Sequence, residues 1–287
     1  MGRIKQGWAL TKKAWGVVRE NPGLIKLPIM GGILAVIAFI VFAIPAGLVA
    51  DSSDSNAAYA GAAILLAIGA YLSSFAVIYY NVALAAAADL AFRGQPTDNQ
   101  AGLAVARERR GVIAQWALVA LVVSAIFNAL RQRGGLFGQI AAGLGAAIWG
   151  LVTFLIAPVL AFEGLGPAAA IKRSSSMFRD KWGQQITGNF AIGAITGLAM
   201  VLAIVIAVGG VFVLASGSSA AIAAGGGLLL LGIVLGIAAA VVAGAVRGVF
   251  GVALYRYIAD GTVVGPFTAQ EFESGVKVKG QGRALGI

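Results

Sequence analysis

The stretch Ile29–Ala50, IMGGILAVIAFIVFAIPAGLVA, decides the fold of this chain. It holds no polar side chain, and the polar run Asp51-Ser52-Ser53-Asp54-Ser55-Asn56 ends it. A helix rises about 1.5 Å per residue, so about 20 apolar residues cross the roughly 30 Å hydrocarbon layer of a bilayer. Five more such stretches follow, at 57–88, 112–130, 136–162, 186–215 and 221–246. Each is continuously apolar and rich in Ala and Leu, whereas a transmembrane strand alternates over about ten residues. The stretches therefore read as helices, and their order reads as three hairpins.

Composition agrees. Of 287 residues, 60% are hydrophobic and 11% charged, and the mean hydropathy is +0.92. That excludes an ordinary soluble domain and a disordered chain alike. The first stretch is longer than the apolar core of a signal peptide (about 7–15 residues). Its charged flank, from Arg3 to Lys26, is also too long for a signal. The predicted fold class is all-α: a polytopic membrane protein with six transmembrane helices in three hairpins over residues 1–260, then a cytoplasmic tail at 261–287.

Charge sets the orientation. The chain has 21 Lys and Arg against 11 Asp and Glu, a net charge of +10. Only Arg131 and Arg133 fall between spans three and four; every other basic residue lies on the opposite side or flanks it. Basic loops stay in the cytoplasm. Both termini are therefore expected inside the inner membrane of a prokaryote, with the whole charge excess on the cytoplasmic face.

The basic segments have a pattern of their own. At 1–22, Ile4, Trp8, Thr11, Trp15 and Val18 share a helical face, with Lys12, Lys13 and Arg19 elsewhere on the wheel. At 167–182, Ile171, Ser175, Phe178 and Trp182 do the same beside Lys172, Arg173 and Arg179. Both read as interfacial amphipathic helices. They align at an offset of 160, and Val82-Ala83-Leu84 matches Val252-Ala253-Leu254 at an offset of 170, an internal repeat. Residues 101–111, with Arg107, Arg109 and Arg110, form a weaker copy. Spans two and six continue past the membrane as stems, each with an i,i+4 pair, Asp89/Arg93 and Arg256/Asp260.

These residues narrow the function. The chain has no His and no Cys, which excludes thiol catalysis, disulfides, a Ser/His/Asp triad and the usual zinc sites. No phosphate-binding loop or dinucleotide fingerprint stands in a fitting context. An enzyme, a cofactor and a nucleic-acid partner are not expected. The expected lipid-headgroup contacts are Lys12, Lys13, Arg19, Arg109, Arg110, Lys172, Arg173 and Arg179, since a basic residue near an anionic leaflet contributes about 1 kcal/mol. Asp89, Glu163 and Arg247 form a candidate intramembrane polar site. Each would cost about 2.5–3.5 kcal/mol alone inside a bilayer, so salt bridges at span ends are the cheaper reading. Gly232/Gly236 and Gly244/Gly248 permit close helix packing. Gly209-Gly210 and Gly225-Gly226-Gly227 read as flexible outer ends, and Trp149 as a side chain packed between helices.

A resemblance rests on several of these motifs together. They are Gly7-Trp8 and Trp15, Asn21-Pro22, the run Ala157-Pro158-Val159-Leu160-Ala161-Phe162-Glu163-Gly164-Leu165-Gly166-Pro167, Phe178-Arg179, Trp182-Gly183 and Ala253-Leu254-Tyr255-Arg256-Tyr257. Over roughly residues 3–270 the chain resembles a family of uncharacterised six-helix integral membrane proteins of bacteria and archaea. That family is distantly similar to the membrane domain of glycerophosphodiester phosphodiesterases. The resemblance implies a fold and brings no activity. The expected function is a non-enzymatic membrane scaffold or accessory subunit that contacts anionic lipid and other membrane proteins. A transporter or lipid-handling protein is the alternative, resting on the repeat and on Pro28, Pro45 and Pro158. An intramembrane enzyme would rest on Glu163 and Asp89 alone.

A topology reporter fused after Asp54 is expected to read outside, and one fused after Arg107 inside. The reverse pattern would overturn the orientation.

Overall fold

A computed structural model of the protein describes residues 3–53, 55–182, 190–215 and 218–274. The described residues form eleven helices and no strand: α1 (Arg3–Glu20), α2 (Gly23–Asp51), α3 (Asn56–Phe92), α4 (Asn99–Glu108), α5 (Arg110–Arg133), α6 (Gly135–Val152), α7 (Ile156–Phe162), α8 (Pro167–Trp182), α9 (Phe190–Leu214), α10 (Ser219–Ala259) and α11 (Ala269–Ser274). Five helical stretches are long and apolar enough to cross a membrane: Gly23–Asp51, Asn56–Phe92, Arg110–Arg133, Gly135–Phe162 and Ile222–Ala259. The fifth stretch read from the sequence begins at 186–189, outside the described residues. Its described helix is α9, within which Ala199–Leu214 counts as an apolar helix shorter than the others.

Local chemistry sets the breaks. Asn21 and Pro22 separate α1 from α2, and the Asn21 side chain donates to the Val17 carbonyl at 3.0 Å. Ser55 caps α3 by accepting from the Ala58 N–H at 3.2 Å, and Asp98 caps α4 by accepting from Gln100 at 2.7 Å. The fourth apolar stretch is not one continuous helix. It breaks at Thr153–Leu155, between α6 and α7. Pro158 explains the position, because it has no N–H for the Phe154 carbonyl and its ring crowds that carbonyl. Thr153 marks the end of α6 by donating its hydroxyl to the Trp149 carbonyl at 2.7 Å.

The helices pack in sequence-adjacent pairs, α2 on α3, α5 on α6 and α9 on α10. Glycines make the last of these close. A Cβ on Gly210 would stand 2.5 Å from the Leu229 nitrogen, and one on Gly232 would stand 2.6 Å from the Ala207 nitrogen. Gly209-Gly210 and Gly225-Gly226-Gly227 are thus not flexible ends. They lie within α9 and α10, and Gly210 and Gly225 let the two backbones touch. Trp149 stacks on Trp116 with ring centroids 5.8 Å apart, bridging α6 and α5.

Burial is concentrated at the basic end of the bundle. The core joins Ala14, Val17 and Val18 of α1 to Val82–Ala88 of α3, to Val159 and Leu160 of α7, and to Val249–Tyr255 of α10. By contrast, only 6% of the most apolar window of α2 and 11% of that of α3 is buried. The stems that extend the long helices are therefore the packed centre. The start of the C-terminal segment joins them. Phe267 and Phe272 are buried against Phe250, and Phe272 stacks on Tyr257 at 4.8 Å.

Helix α4 lies on α3 through Gly102, whose added Cβ would stand 2.5 Å from the Ala83 carbonyl oxygen. A backbone atom cannot move aside. Gly102→Val is expected to lower stability by about 1–3 kcal/mol in thermal unfolding of the detergent-solubilised protein. Gly111→Ala meets nothing within 4 Å and is expected to be neutral or slightly stabilising.

Candidate functional site

Two carboxylates at the basic end organise the polar groups there. Asp89 sits in the last turn of α3, where that helix meets α10, and it is only 6% exposed. Its Oδ1 accepts from Arg256 Nε at 2.7 Å and its Oδ2 from Arg256 Nη2 at 2.8 Å. Arg93, one turn on, donates to the same Oδ2 at 2.8 Å. Arg256 completes the set by donating Nη1 to Asp260 at 2.8 Å. Its guanidinium lies 4.6 Å from the centroid of the Phe162 ring, a cation–π contact. Both i,i+4 pairs read from the sequence form, and Arg256 fuses them. The planar fork of Arg matches a carboxylate with two parallel hydrogen bonds, which compensates much of the cost of burying both charges.

Glu163 closes α7. Its Oε1 accepts from Arg173 Nε of α8 at 2.9 Å and from the Tyr255 hydroxyl of α10 at 2.8 Å. The hydrogen bond that Arg173 donates to Glu163 holds its guanidinium above the ordinary pKa. The next residue, Gly164, has φ +62°, and the Arg109 guanidinium covers it. The positive φ requires glycine, and an added Cβ there would stand 2.6 Å from Arg109 Nη1 and displace the guanidinium. Arg109 Nε is buried with no hydrogen-bond partner among the described residues.

A further ion pair joins α1 to α11. Lys13 of α1 donates to Glu271 of α11 at 2.7 Å. Burial pushes the Glu271 carboxyl up, but hydrogen bonds from Lys13 and Thr268 outweigh it and hold the pKa below the ordinary glutamate value.

The residues singled out from the sequence separate into groups. Asp89 and Glu163 come together through the adjacent Tyr255 and Arg256, whereas Arg247 is exposed on α10 and belongs to neither network. Of the basic residues, Lys13 and Arg173 are held by carboxylates, and Arg109 is half-buried on Gly164. Lys12, Arg19, Arg110, Lys172 and Arg179 are exposed. Sequence reasoning missed Arg256 as the bridge, and Tyr255 and Phe162 as its neighbours. The available signal was the opposite order of the two pairs, acid first in one stem and base first in the other. Chemically, this arrangement locks helices together. Each carboxylate already accepts from at least two donors, and no group of three His, Cys, Asp or Glu among the described residues is placed to hold a metal ion.

A family model matches residues 60–265, which takes in both networks from Asp89 to Asp260. It describes a family of unknown function. No curated protein and no solved structure matches the chain.

Removing Arg256 strands the buried Asp89, which then keeps only Arg93. Arg256→Met is expected to cost about 3–5 kcal/mol. Arg93 is 58% exposed, and Arg93→Met is expected to cost less than about 1 kcal/mol. Unfolding of the purified variants in one detergent checks the contrast, and equal losses would show that the cross-stem pair is not the stabilising one.

Proposed function

The chain belongs to the family of unknown function DUF6159, and we propose that it acts as a non-enzymatic membrane scaffold or accessory subunit held on the anionic face of the inner membrane. In this reading six helices cross the bilayer as three hairpins, with both termini in the cytoplasm. The basic helices lie on the inner leaflet, and the packed stems form a platform beneath it. One observation carries the reading. The ionisable groups that a transporter or intramembrane enzyme would need free, Asp89 and Glu163, are engaged in joining α3, α7, α8 and α10. Among the exposed side chains are the cations Lys12, Arg19, Arg110 and Lys172 at the basic end, and apolar residues such as Ile44, Leu48 and Phe137 along the spans. Cations suit an anionic leaflet, and apolar spans suit lipid or the helices of another membrane protein.

The test is lysine labelling of the reconstituted full chain. Lys12 and Lys172 are expected to react more slowly in phosphatidylglycerol-containing liposomes than in phosphatidylcholine alone. Crosslinking of native membranes is expected to trap the chain with the same membrane partner in independent preparations. Equal labelling in both bilayers, together with a chain recovered only as a monomer, would overturn the proposal.

A further inference from the structure

A shallow groove of about 510 Å³ runs between α3 and α5. Its walls are Ile64, Ile68 and Tyr71 on one side and Ala114, Leu118 and Leu121 on the other. Tyr71 pins the two helices by donating its hydroxyl to the Ala114 carbonyl at 3.3 Å. Ile64 and Leu118 are 61% and 54% exposed, so the walls face outward.

The groove has a polar end. Gln115 lines it, and its Oε1 also lies 3.7 Å from where a Cβ on Gly166 would stand, beside the loop that Arg109 covers. One turn below Ala114, on the same helical face as Leu118 and Leu121, stands Arg110. Arg110 is exposed and has no ion-pair partner among the described residues. Arg107, at the end of α4, is exposed as well, and the one acid in this run is Glu108. From Arg110 to Leu121 is about 16 Å along the helix, which is close to half of the roughly 30 Å hydrocarbon layer. A shallow apolar groove, with an exposed guanidinium one helical turn beyond its basic end, matches a phospholipid whose phosphate is uncompensated by a headgroup cation.

We propose that the α3–α5 groove binds one anionic diacyl phospholipid of the inner leaflet, an acyl chain lying along Ile64, Ile68, Leu118 and Leu121 and the phosphate at Arg110 and Gln115. The site rests on the orientation proposed above and narrows its general lipid contact to one place. Arg110 supplies the charge that selects phosphatidylglycerol over phosphatidylcholine, and Tyr71 keeps the groove open by fixing the helix spacing.

Native mass spectrometry of the detergent-solubilised full chain tests it, with phosphatidylglycerol, phosphatidylcholine and water-soluble glycerophosphoglycerol as probes. Phosphatidylglycerol is expected to bind more tightly than phosphatidylcholine, and glycerophosphoglycerol, which has no acyl chain, is expected not to bind. Arg110→Gln is expected to weaken phosphatidylglycerol binding roughly fivefold, to the phosphatidylcholine level, while Arg133→Gln, at the opposite end of α5, leaves it unchanged. Leu118→Trp, which fills the groove, is expected to weaken both lipids. If Arg110→Gln keeps the preference and Lys12→Gln or Lys172→Gln loses it, the groove site is wrong and the general lipid contact stands. If the wild type shows no preference, both fall. Thermal unfolding of Arg110→Gln at the wild-type temperature excludes misfolding as the cause of any loss.

Discussion

The bidentate pair between Asp89 and Arg256 links two helices that each come from a different half of the chain. A carboxylate this buried is tolerable only with its partner in place. The pair therefore fixes α3 and α10 side by side at one register. That register lets Gly248 meet Leu84 and puts Val249 and Val252 into the same core as Val82 to Ala88. It also sets where Tyr255 stands, and hence where Glu163 and the start of α8 can attach. Helices α7 and α8 and the C-terminal α11 are arranged around that fixed centre.

This centre differs from the core of a soluble domain. In water, apolar surface is buried because water expels it. Lipid supplies no such force between the spans, which need close backbone approach or polar contacts to associate. The structure divides the work accordingly. Gly210, Gly225 and Gly232 bring α9 and α10 into backbone contact along the spans. Beyond the apolar windows, ion pairs, aromatic contacts and a buried aliphatic cluster hold the stems. The basic end is thus built as a water-soluble protein is, and the remainder follows the rules of the bilayer.

Helix type and the main breaks were legible in the sequence because they depend on local properties. Continuous apolarity gives the helices, and Asn21-Pro22 and Asp51–Asn56 give the breaks. The interruption at Thr153–Leu155 follows from Pro158, but the proline acts on the carbonyl of Phe154, four residues before it, so the break appears upstream of the residue that causes it. The glycine runs misled for a related reason. In isolation glycine weakens a helix, and only the neighbouring helix reveals that Gly210 and Gly225 are there to be approached. Asp89/Arg93 and Arg256/Asp260 were readable as pairs within helices. The bond between Asp89 and Arg256 spans 167 positions, and no local spacing can disclose it. Arg109 read as a surface cation like its neighbour Arg110. Its role in covering Gly164 depends on a loop more than fifty residues away.

The uneven burial has a mechanical consequence. Helix α10 has 41 residues and is about 60 Å long at the usual rise, and α3 has 37. Over its final turns each packs on several other helices, and above them mainly on one neighbour, α2 for α3 and α9 for α10. A rod fixed at one end yields most at the other. A change in bilayer thickness would therefore tilt each helix pair more readily at the end far from the basic core, at a modest cost per ångström of mismatch, than at the clamped end. The surface at the basic end would thereby keep its shape while the surrounding bilayer fluctuates.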